Sequence, residues 1–139
     1  MSIPGVPGGG FKTVGQIDPT ELTLFRVGQD AATIAVELLS SHAAGGPVVD
    51  GNDKVVGFIS EIDVLNVIEA GKELKDLVAE DIMSRNPVIV HESTTLSNAV
   101  QLMKDNHLVN LPVERDGRVA YSVSRHDILR ALVGIGPEE

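Results

Sequence analysis

Cysteine and tryptophan are absent from the 139 residues, and there are only three Phe and one Tyr. Without cysteine there is no disulfide framework, thiolate nucleophile or thiolate metal site, which removes several enzyme classes at once. The scarcity of aromatics and a formal net charge of −9, from 20 acids against 11 Lys and Arg, oppose nucleic-acid binding. That function needs a basic surface and often stacking rings. No apolar run approaches the ~20 residues of a membrane span, and no basic stretch leads into an apolar core as in a secretory signal. A cytoplasmic protein without membrane contact is expected. The length fits one compact domain or two small units sharing a core, burying roughly two thirds of the unfolded surface.

Signals for metal or nucleophilic chemistry are also weak. His42, His91, His107 and His126 show no i, i+4 pairing and no carboxylate at ligand spacing, so no metal site is expected. Ser124, His126 and Asp127 fall within one helical turn, where they cannot converge as nucleophile, base and orienter. The opening Gly8-Gly9-Gly10-Phe11-Lys12-Thr13 nearly spells a phosphate-binding loop, but Phe11 separates the lysine from the last glycine and no strand precedes it. Residues 1–13 read as a flexible Gly/Pro leader.

What the sequence does contain is a repeat. A short strand at Leu24–Val27 is followed by a helical pattern with Ala32, Ala35, Val36 and Leu39 in register and Asp30 as its cap. "GGPVVD" and "KVVGFI" then form strands around the turn "DGND", and a helix runs from Ser60 towards Ala70. The second half repeats this β-α-β-β-α order with "PVIV", "STTLSNAVQLMKDNH", "LPVERDGRVAYSV" turning at Asp116-Gly117, and "SRHDILRALV". Ser60 to Ser124 and Asp63 to Asp127 are each a step of 64 residues. "GKELKDLVAEDIM" links the halves through a short helix ending near Met83, and "TVGQID" is its fainter counterpart before the first half. Each half has too few strands to bury its apolar face alone, so two copies are expected to share a core. The expected organisation is a leader over 1–13, a first repeat over 14–74 and a second over 75–139.

Ser60 and Asp63, like Ser124 and Asp127, admit two readings. As a capping box, the serine hydroxyl accepts from a first-turn amide and the carboxylate returns a bond to the serine amide, which stabilises the helix by ~1 kcal/mol. As a ligand site, the helix start offers amides and partial positive charge to a phosphate, the serine adds a donor, and the aspartate accepts ribose hydroxyls.

The order, spacing and twofold repetition of "VAEDIM" leading into "NPVIV", "TIAVELL" and "TLSNAVQLM", "GGPVVD" and "NLPVERDG", and "GFISEIDVL" and "YSVSRHDIL" resemble a tandem pair of cystathionine-β-synthase (CBS) domains, a Bateman module. The resemblance covers Val14 to Val133 and departs at Ala120-Tyr121, where the family usually has a glycine like Gly57. It implies a mixed α/β (α+β) fold of two β-α-β-β-α repeats packed with pseudo-twofold symmetry. It also implies that Ser60 or Ser124 lies near a phosphate, that Asp63 or Asp127 binds a ribose, and that the base lies against backbone near Gly46 or Leu111.

The resemblance further implies a regulatory module without catalysis or a required cofactor, binding AMP, ADP, ATP or S-adenosylmethionine and acting on a separate effector protein. A ligand-independent dimerisation or interaction module with empty sites is the alternative. A homodimer is expected, with the helices carrying "IDVLNVI" and "DILRALV" at its interface, because their apolar residues exceed one stripe. The second repeat is expected to be the stronger site: Arg125 and a protonated His126 suit a phosphate there, whereas Glu61 and Ile62 occupy the matching positions in the first.

Overall fold

A computed structural model of the chain describes residues 11–17, 23–41 and 43–133. The expected leader lies outside these except for Phe11 to Thr13, and so does His42. The first half gives β1 (Phe25–Arg26), α1 (Ala31–Ser41), β2 (Gly45–Val49), β3 (Val55–Ser60) and α2 (Glu61–Glu69). A 3-10 turn at Leu74–Asp76 and α3 (Ala79–Ile82) follow. The second half gives β4 (Val90–His91), α4 (Leu96–Asn106), β5 (Asn110–Arg115), β6 (Arg118–Ser124) and α5 (Arg125–Leu132). The β-α-β-β-α order therefore appears twice.

Each half forms a three-stranded sheet, in the orders β1-β2-β3 and β4-β5-β6. The first strand of each is parallel to the second, Phe25 facing Val48 and Val90 facing Val113. β2 and β3 run antiparallel, with Gly45 opposite Ser60 and Gly46 opposite Ile59. Turn chemistry explains the hairpins. Asp50 accepts the amides of Asn52 and Lys54 at 2.8 and 3.1 Å, and these bonds hold its carboxyl below the ordinary carboxylate range. Asp116 and Gly117 both take positive φ, 55° and 77°, as a two-residue loop matching strand twist requires.

Of the described residues, one compact unit takes in 23–41, 43–87 and 117–119, and the other 11–17, 88–116 and 120–133. The core of the former gathers Phe25, Ile34, Val48, Ile59, Ala79 and Ile82. The latter gathers Val14, Val90, Met103, Leu111, Val123 and Ile128. These units follow the 14–74 and 75–139 repeat boundaries only in part: Val14 and Ile17 pack with the strands of the second half, and Ala79 and Ile82 with those of the first. Backbone bonds tie each segment in place, Val14 N to Thr94 O and Gly15 N to Glu92 O in one unit, Ala31 N to Leu77 O and Ala79 N to Gln29 O in the other.

The first unit's segment also explains Gly57. Phe58 and Ser84 exchange backbone bonds of 3.0 and 2.8 Å, so a Cβ at Gly57 would run into the Met83 side chain and lie 2.8 Å from Ser84 O. At the matching position in the second half, Tyr121 is partly buried against the core with Arg115 over its ring, 6.0 Å from the centroid. Burial pushes its phenol pKa up.

Asp30 caps α1 as expected, its Oδ1 accepting the amides of Ala32 and Thr33 at 2.7 and 3.1 Å. The buried stripe of α1 is Ala31, Ile34 and Leu38, however, while Val36 and Leu39 from the row that the spacing picks out are exposed. The helix carries two apolar rows, and only one faces its sheet.

Candidate functional site at two capped helix starts

Both Ser-x-x-Asp stretches sit where a strand runs directly into a helix. Ser60 ends β3 and caps α2: its Oγ accepts the Asp63 amide at 3.3 Å, and Asp63 Oδ2 accepts the Ser60 amide at 2.8 Å and its hydroxyl at 3.0 Å. Ser124 ends β6 and caps α5: its Oγ accepts the Asp127 amide at 3.0 Å, and Asp127 Oδ2 accepts the Ser124 amide at 2.9 Å. Both are complete capping boxes. The capping reading is therefore realised in both halves, and it leaves Oδ1 of each aspartate without a donor among the described residues.

A second tie fixes each helix start, and the sequence reading missed it. The Glu61 amide donates to Ala44 O at 3.0 Å and the Arg125 amide to Val109 O at 2.9 Å. Ala44 and Val109 each lie three residues before the proline of "PV", a shared offset that could have found them. With the first and third amides of both helices engaged, the cap consumes part of the donor set that a phosphate would use.

The other expected site residues fall into different environments. Gly46 pairs with Ile59, next to the Gly45–Ser60 pair, so it lies close to the first cap. A Cβ there would stand 2.5 Å from Thr23 O and 3.3 Å from the Phe25 ring, which is why no side chain fits. Leu111 holds the matching place before Pro112, but its side chain is wholly buried in the second core, so it offers backbone only. Asp63 is half-buried, whereas Asp127 is 6% exposed. Arg125 and His126 are exposed. Arg125 lines a groove between α4 and α5 together with Leu129 and Leu132, and His126 Nε2 lies 3.0 Å from Arg130 NH2. The structure thus joins Ser60 with Asp63 and Ser124 with Asp127, and turns Arg125 towards α4.

A further polar atom is associated with the second cap. Ser122 Oγ is buried and has no hydrogen-bond partner among the described residues. Lying two residues before Ser124 on β6, it shares that serine's strand face. Phe58 stands at the matching place in the first half, its ring against Gly45. Among the described residues no group of His, Cys, Asp and Glu could hold a metal, and no helix is long and apolar enough to cross a membrane.

The CBS domain family matches residues 30–70 and 78–134. The protein MJ1404 of Methanocaldococcus jannaschii is 33% identical over 97 residues, which cover 69% of this chain and 23% of that protein. The chain spans 23% to 61% of the lengths of the first three curated archaeal relatives it matches. Among solved structures, the CBS domain pair of MJ0100, in complex with 5′-methylthioadenosine and S-adenosyl-L-methionine, superposes with a TM-score of 0.77 at 25% identity, covering 89% of this chain and 98% of that one. CBSX2 of Arabidopsis thaliana, in complex with AMP, gives 0.75 at 27% identity, covering 89% and 97%. Family match, duplicated topology and structural neighbours agree that this chain belongs to the CBS domain family and is a tandem CBS pair.

Proposed function

We propose that the chain is a non-catalytic regulatory module that binds an adenosine-containing small molecule at its Ser-x-x-Asp helix starts and transmits occupancy to a separate effector protein. The observation that carries this reading is the duplicated cap: in each half a serine and an aspartate are fixed beside the opening of the "PV" strand, with one carboxylate oxygen left over. The adenosine ligands of MJ0100 and CBSX2 support the same ligand class here. In this reading Asp63 and Asp127 accept ribose hydroxyls, Ser60 and Ser124 donate towards phosphate, and backbone at Gly46 and Leu111 faces the base. AMP, ADP, ATP and S-adenosylmethionine are the candidate ligands, with no required cofactor and no nucleic-acid partner, in a cytoplasmic protein.

The second repeat is the stronger site in this proposal. Ser60 donates its hydroxyl to Asp63, whereas among the described residues no such bond holds Ser124, which keeps its proton for a ligand. A ligand polar group reaching Ser122 Oγ would also relieve a buried unpaired hydroxyl, worth ~1–3 kcal/mol. Arg125 supplies positive charge to a phosphate from the rim, and His126, whose Nε2 accepts from Arg130 at 3.0 Å, adds a ring N–H donor there.

Calorimetric titration with AMP, ADP, ATP and S-adenosylmethionine tests the function. Saturable binding of at least one ligand is expected. No binding of any would favour the ligand-independent interaction module, for which the caps need nothing but themselves. The module is also proposed to be a homodimer through α2 and α5, because Ile62, Leu65 and Ile68 on one and Leu129 and Leu132 on the other are exposed. Light scattering at micromolar concentration is expected to give twice the chain mass, and a monomer would overturn the assembly.

A further inference from the structure

The strands that lead into the two caps differ by one exchanged pair of residues. In the first half Phe58, two residues before the capping Ser60, lays its ring over Gly45, where an added Cβ would stand 2.7 Å from Phe58 Cε1. Gly45 pairs with Ser60 and Pro47 with Phe58, so ring and cap share one face of the β2–β3 ladder while Ile59 between them enters the core. In the second half the step of 64 residues puts Ser122 in the place of Phe58. Asn110, two residues before Pro112, takes the place of Gly45, two before Pro47. An aromatic ring and a bare glycine thus give way to a hydroxyl and a carboxamide. Val123 enters its core as Ile59 does, so Ser122 and Ser124 share the face that Phe58 and Ser60 share in the first half.

The phenyl ring of Phe58 needs no polar partner, but the hydroxyl of Ser122 does. Its Oγ is buried with no hydrogen-bond partner among the described residues, a state that folding alone does not reward. Ser122 as a whole is only half-buried, and a serine passes readily between staggered rotamers, so rotation about χ1 brings the hydroxyl to the surface of its strand face.

We infer that Ser122 reads the edge of the ligand's base at the second site, pairing with a ring nitrogen or the exocyclic amine, and that Phe58 makes the first site indifferent to that edge. This rests on the proposed adenosine site and names the residue that makes one copy of it selective. The base there faces backbone at Gly46 and Leu111, each next along its strand to an exchanged residue, Gly45 or Asn110. Phe58 and Ser122 therefore flank the base, while the helix starts take ribose and phosphate. A phenyl ring gives a base apolar and stacking contact, which every purine satisfies. A hydroxyl covered by the ligand has to be paired, so the second site rejects a base that lacks the partner atom.

The test isolates each site by removing the other's ribose acceptor: the Asp63→Ala chain keeps the second and the Asp127→Ala chain the first. Both are titrated calorimetrically with AMP, with purine riboside 5′-monophosphate, which lacks the exocyclic amine, and with the 1-deaza, 3-deaza and 7-deaza forms of AMP. In the Asp63→Ala chain one of the four analogues is expected to bind about tenfold more weakly than AMP. Adding Ser122→Ala should bring AMP down to the level of that analogue and leave the analogue unchanged. Ser122→Ala should not lower the melting temperature of the free chain, because it breaks no bond there, and that separates a ligand contact from a structural role. In the Asp127→Ala chain all five ligands should bind within about threefold of one another. AMP affinity unaffected by Ser122→Ala, or an analogue penalty that survives it, would overturn the inference and leave the adenosine site standing. Failure of AMP to bind the Asp63→Ala chain would overturn it as well, whereas a wild-type chain that binds none of AMP, ADP, ATP and S-adenosylmethionine would overturn the adenosine reading itself.

Discussion

Asp127→Ala is expected to weaken AMP or ATP binding by about 30- to 150-fold, or ~2–3 kcal/mol, the loss of a carboxylate that accepts two ribose hydroxyls. The same residue closes the cap of α5 through the Ser124 amide, so the variant is also expected to lose ~1 kcal/mol of stability. The two effects separate in a cycle with a 2′-deoxy nucleotide. In the wild type, removing the hydroxyl should weaken binding; in Asp127→Ala the same removal should change little, because its acceptor is gone. Asp63→Ala is expected to show the same pattern with a smaller loss of affinity. Arg125→Ala and His126→Ala should weaken ATP or AMP more than adenosine. If Asp63→Ala costs more than Asp127→Ala, and neither Arg125 nor His126 matters, the first repeat holds the stronger site. If both aspartate variants bind normally and only melt earlier, the residues are caps and nothing more.

Much of the architecture was legible because it is written twice. A strand-helix-hairpin-helix order inferred once from short patterns is weakly supported, but a second copy displaced by 64 residues, with matching caps and matching "PV" strands, constrains both. The capping boxes were legible for a related reason: they are local, involving residues three apart, and spacing alone dictates them. The features that escaped depend on tertiary choice. Nothing in "TVGQID" states that Val14 and Ile17 will complete the core around Val90 and Leu111, since an apolar side chain carries no address for the core it joins. Spacing likewise could not decide which apolar row of α1 faces its sheet, and the structure buries Ala31, Ile34 and Leu38. Arg125 is the clearest case among the site residues. Its position beside Ser124 says nothing of the groove beside α4 that it also lines, because the helix sets it on one face with Leu129 and Leu132.

The matching residues Gly46 and Leu111 give the largest expected effect on folding. Leu111 lies on β5, the middle strand of its sheet, with its side chain fully buried among Val90, Val113, Val123 and Ile128. Leu111→Ala removes the transfer free energy of its lost atoms and leaves a cavity that a close-packed sheet core closes only partly, so a loss of about 2–5 kcal/mol is expected. Against a total of roughly 5–15 kcal/mol for an ordinary domain, that is a large fraction. Urea unfolding should show it as a lower midpoint with an unchanged slope. Nucleotide affinity, measured where the variant is still folded, should change little, because only backbone at Leu111 is proposed to face the base. Gly46 behaves in the opposite sense. There a single added methyl meets Thr23 O at 2.5 Å, so Gly46→Ala strains the pairing of β1 and β2 by about 1–3 kcal/mol and should reduce binding at the first site as well. Equal loss of affinity in both variants would mean that the Leu111 side chain itself touches the ligand, and that the second site is built differently from the backbone-walled niche proposed for it.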